Sequence, residues 1–119
     1  KKIHSRMRSA VTSAGGRIDA VFYCPHRPEE GCRCRKPEPG LIMRAQQAFS
    51  LDLSTACLVG DSEKDMEAAW RAGCATTILV RTGNGRSTEK NLAVKRLFPD
   101  FVAEDLLEAV RWLLDRNEP

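Results

Sequence analysis

The stretch ACLVGDSEKDMEAAWRAGCATTILV, Ala56–Val80, decides the fold. It opens on a short continuous apolar run, Ala56-Cys57-Leu58-Val59, as expected of a strand buried on both faces. Gly60-Asp61-Ser62 interrupts the run, and from Glu63 to Ala72 the apolar period changes. Met66, Ala69 and Trp70 now recur at helical spacing and line one side of a helix. Gly73 stops that helix, and Thr76–Val80 is a second apolar strand. A strand, a helix and a strand in this order form a parallel βαβ unit.

The same alternation extends outward. Upstream, Leu41, Ile42, Ala45, Ala48 and Phe49 form the expected buried face of a helix that runs to about Ser50 and is entered through Lys36-Pro37-Glu38-Pro39-Gly40. Before it, Ile18–Tyr23 reads as a strand, and Lys1–Ala14 as a helix striped with Ile3, Met7, Ala10, Val11 and Ala14 and ended by Gly15-Gly16. Downstream, Arg81–Gly85 reads as a loop and the polar stretch Arg86–Lys95 as irregular. Phe101-Val102-Ala103 is a minimal strand, and Asp105–Asp115 is a helix with Leu106, Leu107, Val110, Leu113 and Leu114 on one face. The expected class is α/β: one domain over residues 1–119, a Rossmann-type parallel sheet covered by helices.

Bulk properties narrow the partners. The 19 Lys and Arg against 16 Asp and Glu give a net charge of +3, scattered among acids, which is weak support for a nucleic-acid surface. No apolar run reaches membrane-spanning length and no tripartite leader is present, so the expectation is a soluble cytoplasmic protein without membrane contact; the complete protein is expected to be a monomer.

Chemistry concentrates in CPHRPEEGCRCRK, Cys24–Lys36. Cys24 and His26 are two apart, as are Cys32 and Cys34, so each pair projects to one side of extended backbone. Arg27–Gly31 between them is polar and turn-rich, long enough to bring four ligands together. Three thiolates and an imidazole make a closed tetrahedral shell, the pattern of a structural Zn²⁺ site over residues 24–34. The competing reading is a disulfide or free thiols beside an incidental histidine. Cys32 and Cys34 are too close for an easy mutual bond, and five cysteines without a leader suit a reducing compartment. Arg27, Arg33 and Arg35 would balance the thiolates. Cys57 and Cys74, in or beside apolar runs, read as core fillers.

In open α/β sheets ligands gather beyond the carboxyl ends of the strands. Asp61 follows the Leu58-Val59-Gly60 strand end, and Asp65 sits one helical turn later. A carboxylate at such a place suits Mg²⁺, a hard cation that commonly shares its oxygen ligands with substrate phosphate. Both acids equally suit the start of a helix, where the dipole favours them. Arg35 and Lys36 could neutralise phosphoryl oxygens, or simply form a solvated basic loop.

Taken together, FYCPH, CRCRKPEPG, LVGDSEKDM and TILVRTG resemble the zinc-loop branch of the haloacid dehalogenase (HAD) superfamily of phosphatases, from about Ile18 to the end of the chain. The resemblance implies that Cys24, His26, Cys32 and Cys34 hold structural zinc, that Asp61 binds catalytic Mg²⁺ with Asp65 in support, that Lys36 steadies the nucleophile and transferred phosphoryl group, and that Arg35 contacts substrate phosphate. It implies as substrate a small phosphorylated sugar, the 7-phosphate of a heptose bisphosphate, on the route to heptose precursors of lipopolysaccharide or other surface glycans. The alternatives are histidinol phosphate, whose phosphatases share the zinc loop, and a non-catalytic zinc-stapled binding module. One departure matters: the family attacks phosphorus with the first aspartate of an Asp-x-Asp pair, and no such pair occurs here. The expectation is the C-terminal part of a HAD-like domain, inactive alone, with strand edges and apolar faces left for another segment to cover.

Overall fold

The computed structural model of the chain describes residues 2–20 and 36–117. The Cys24–Cys34 loop and Arg35 lie outside the described residues. Helix α1 spans Lys2–Ser13, as its period implies, but its stripe is little used: Met7 is 42% exposed and Ala10 and Ala14 are exposed. The expected strand at Ile18–Tyr23 is not formed over Ile18–Ala20, and the rest of it lies outside the described residues.

The βαβ unit forms as its sequence implies. Strand β1 (Cys57–Gly60), helix α3 (Glu63–Ala72) and strand β2 (Thr76–Val80) follow helix α2 (Gly40–Phe49). Strand β3 (Phe101–Ala103) completes a three-stranded parallel sheet in the order β1-β2-β3, with Val59 opposite Ile78 and Leu79 opposite Val102. Because strand side chains alternate, one face presents Leu58, Leu79 and Val102 and the other Cys57, Val59, Ile78, Val80, Phe101 and Ala103. Met66 and Trp70 of α3 and Leu92 of α4 (Gly85–Val94) close the first face. Ala109, Trp112 and Leu113 of α5 (Leu106–Asn117) close the second, where Trp112 stacks on Phe101 with ring centroids 4.7 Å apart. Both faces of β2 are therefore covered, as its continuous apolar run implies, whereas every residue of β1, expected to be buried on both faces, is only partly buried.

Three expectations need correction. Arg86–Lys95 is not irregular: Gly85–Val94 is helix α4. Its buried side consists of Gly85, Thr88 and Leu92, too few apolar residues to write a stripe in the sequence. On α5 the face that meets the sheet is Ala109, Trp112 and Leu113, whereas Leu106, Leu107, Val110 and Leu114 are 41–61% exposed. Of the face expected on α2, Ala48 and Phe49 are exposed, and Leu41, Ile42 and Ala45 are partly covered. No helix among the described residues is long and apolar enough to cross a membrane.

Candidate active site

The site forms where β1 ends and α3 begins. Ser62 is the N-cap of α3: its hydroxyl accepts from the Asp65 N–H at 3.1 Å, and the Asp65 side chain reaches back to the Ser62 N–H at 3.2 Å. This reciprocal pair satisfies two amides that a helix start leaves open. Asp65 does more than cap. Its Oδ2 also accepts from the Asp61 N–H at 3.1 Å, while Oδ1 accepts from Lys36 Nζ, 29 residues away in sequence. Gly60 makes room for this, since a Cβ there would lie 2.6 Å from the Asp65 carboxylate. Burial of Asp65 pushes its pKa up, but the hydrogen bonds from Lys36 and Ser62, the charge of Lys36 and the Asp61 N–H outweigh it, and the net shift is downward. Asp65 is therefore a carboxylate, and it anchors an ammonium group whose side chain remains half exposed.

Asp61 is held differently. Its Oδ2 accepts from the Asn84 N–H at 2.9 Å, and its backbone carbonyl accepts from the Thr88 hydroxyl at 2.9 Å. Among the described residues its Oδ1 receives no hydrogen bond. The two acids that the sequence left as possible helix-start charges thus separate: Asp65 caps α3 and binds Lys36, and Asp61 turns toward the loop after β2. Lys36, Asp61 and Asp65 are brought together, while Arg35, Cys24, His26, Cys32 and Cys34 lie outside the described residues.

Asn84, in a stretch that reads only as a loop, and Thr88, in a run expected to be irregular, were not legible as site residues. The available signal was position: Gly83-Asn84-Gly85 follows the carboxyl end of β2, where ligand loops of such sheets lie. Among the described residues no group of three or more His, Cys, Asp or Glu could hold a metal ion. Asp61 by itself fits Mg²⁺, as a hard oxygen donor with one carboxylate oxygen that takes no hydrogen bond from the described residues, because this ion keeps water and substrate oxygens as most of its ligands.

The three-stranded parallel sheet, its helices and the paired acids at the β1 end define a HAD-like hydrolase. The chain belongs to that family, whose HAD-hydrolase-like model matches residues 33–109. Among curated relatives it is 49% identical over 86 residues to the D-glycero-beta-D-manno-heptose-1,7-bisphosphate 7-phosphatase of Bordetella bronchiseptica, covering 72% of this chain and 48% of that protein. It is 41% identical over 102 residues to the enzyme of the same name from Pseudomonas putida, covering 85% of this chain and 58% of the relative. A crystal structure of D,D-heptose 1,7-bisphosphate phosphatase from B. bronchiseptica, complexed with magnesium and phosphate, superposes with a TM-score of 0.86 at 43% identity, over 97% of this chain and 63% of that one. The chain spans about half the length of these two curated relatives.

Proposed function

We propose that this chain supplies the metal-binding and phosphate-contacting part of a Mg²⁺-dependent phosphatase that hydrolyses the 7-phosphate of D-glycero-D-manno-heptose 1,7-bisphosphate, for the synthesis of surface-glycan heptose precursors such as those of lipopolysaccharide. One observation carries the reading. Asp65 joins, at the carboxyl end of β1, an acid with one oxygen unbonded among the described residues, Asp61, to a half-exposed ammonium, Lys36. A phosphate ester needs both, because the barrier to phosphoryl transfer falls when charge on the non-bridging oxygens is neutralised by groups already in place. The names of the relatives and the magnesium and phosphate in the solved neighbour support the same reading.

In this reading Asp61 would hold the metal, and Lys36, kept in place by Asp65, would meet a phosphoryl oxygen. Magnesium, when bound, neutralises phosphoryl charge. Arg35 contacts the substrate phosphate, and Cys24, His26, Cys32 and Cys34 hold a structural zinc whose closed donor set leaves no catalytic position. The site works in the cytoplasm, in a monomer, with a small phosphorylated sugar as its partner. The sequence holds no Asp-x-Asp pair, so the attacking carboxylate comes from outside these 119 residues, and the chain alone turns over no phosphate ester.

The test is phosphate release from heptose 1,7-bisphosphate and from histidinol phosphate by the protein that the full reading frame encodes, with and without Mg²⁺. The expected result is Mg²⁺-dependent release from the heptose bisphosphate, lost by more than about a hundredfold in Asp61→Asn. Preference for histidinol phosphate reassigns the substrate, and equal activity of Asp61→Asn and wild type removes Asp61 from the site.

A further inference from the structure

The loop after β2 is built around one carboxylate. Gly83 has φ +58°, and a Cβ on it would stand 2.3 Å from Asp61 Oδ2, so both its backbone conformation and the space beside it require glycine. The next residue, Asn84, donates its N–H to that same oxygen. Thr88, 6% exposed and one turn into α4, donates its hydroxyl to the Asp61 carbonyl. The loop is itself secured at both ends. Arg81 at its start donates through Nε and Nη2 to the two carboxylate oxygens of Glu89, at 2.9 and 3.0 Å, and through Nη1 to Glu104 at 2.5 Å. Its backbone N–H bonds the Ala103 carbonyl at 2.8 Å. The Thr88 N–H donates to the Asn84 carbonyl at 3.1 Å.

From this we infer that Gly83, Asn84 and Thr88 are positioning residues that preset Asp61 as a one-oxygen metal ligand: Oδ2 is occupied by the loop, and Oδ1, which takes no hydrogen bond from the described residues, is presented to the cation. The inference rests on the magnesium reading of Asp61. It goes beyond that reading because it assigns a purpose to a loop and a buried threonine through their contacts with Asp61. Locking the carboxylate before the metal arrives removes an ordering cost from binding. Restricting it to one oxygen also suits the octahedral demand of Mg²⁺, since a chelating carboxylate spans too small an angle for that shell. Thr88 acts through the Asp61 main chain and Gly83 through the space beside Oδ2, so the two can be perturbed independently.

The experiment is a calorimetric titration of Mg²⁺ into the full-length protein and its variants, alongside thermal melting in chelator. Thr88→Val keeps the shape and removes the donor, and Gly83→Ala pushes on Oδ2. Each is expected to weaken Mg²⁺ binding about tenfold or more, as loss of a group that orients a metal ligand does, with Thr88→Ser returning to within about twofold of wild type. Melting in chelator reports the structural cost separately, and if Thr88→Val does not fold, the Thr88→Ser and Gly83→Ala titrations decide. Wild-type Mg²⁺ affinity in the folded variants overturns the inference while leaving Asp61 as the ligand. Mg²⁺ binding that Asp61→Asn does not weaken overturns the underlying reading, and this inference with it.

Discussion

Replacing Asp65 by asparagine removes one charge and changes no volume, and the structure states what should follow. The carboxylate accepts from Asp61 N–H and Ser62 N–H through Oδ2 and from Lys36 through Oδ1. The amide oxygen can take over the two backbone bonds, but its NH₂ then faces an ammonium group. A hydrogen bond between charged groups is worth about 1.5–3 kcal/mol, and the lower end applies because the Lys36 side chain is 51% exposed. Loss of a negative charge in the first turn of α3 adds about 0.3–1 kcal/mol. Asp65→Asn should therefore cost about 2–2.5 kcal/mol near neutral pH.

The pH dependence follows from the downward shift of the Asp65 pKa. A depressed carboxyl contributes stability that is fully present above its unfolded pKa, about 3.9, and is lost as pH falls through the lower folded value. The gap between wild type and Asp65→Asn, measured by urea denaturation, should hold from about pH 7 to 5 and close below about pH 3.9. A variant as stable as wild type near neutrality, or a gap unchanged down to about pH 2, would refute the assignment of Asp65 as a charged anchor.

Two further outcomes are expected. Metal analysis of the purified protein should give about one zinc per chain, and Cys32→Ser should release it; freely titrating thiols with no metal would end the zinc-loop proposal. Leu79 is fully buried between β2 and the α3–α4 layer, so Leu79→Ala should lower the unfolding free energy by about 2–5 kcal/mol, and a cost under about 1 kcal/mol would mean that this layer is not a packed core.

The helix periods and apolar strand runs were legible because they are local: Glu63–Ala72 and Thr76–Val80 stand where their patterns put them. Helix α4 was not legible, since Thr88 and Gly85 serve its buried side and neither is apolar. On α5 the sequence carries two overlapping stripes, and periodicity does not say which one meets the sheet. Phe101 settles it by stacking on Trp112, with Arg116 over the outer ring face at 4.9 Å.

From sequence alone came the βαβ order, the parallel sheet and the residue types suited to metal and phosphate, because each is written within about one element's length of chain. Only the tertiary structure decided that Lys36 meets Asp65 across 29 residues and that Asp61 is held by a loop 23 residues further on. A hydrogen bond between distant segments depends on where the sheet and its helices bring them, and no local period encodes that distance.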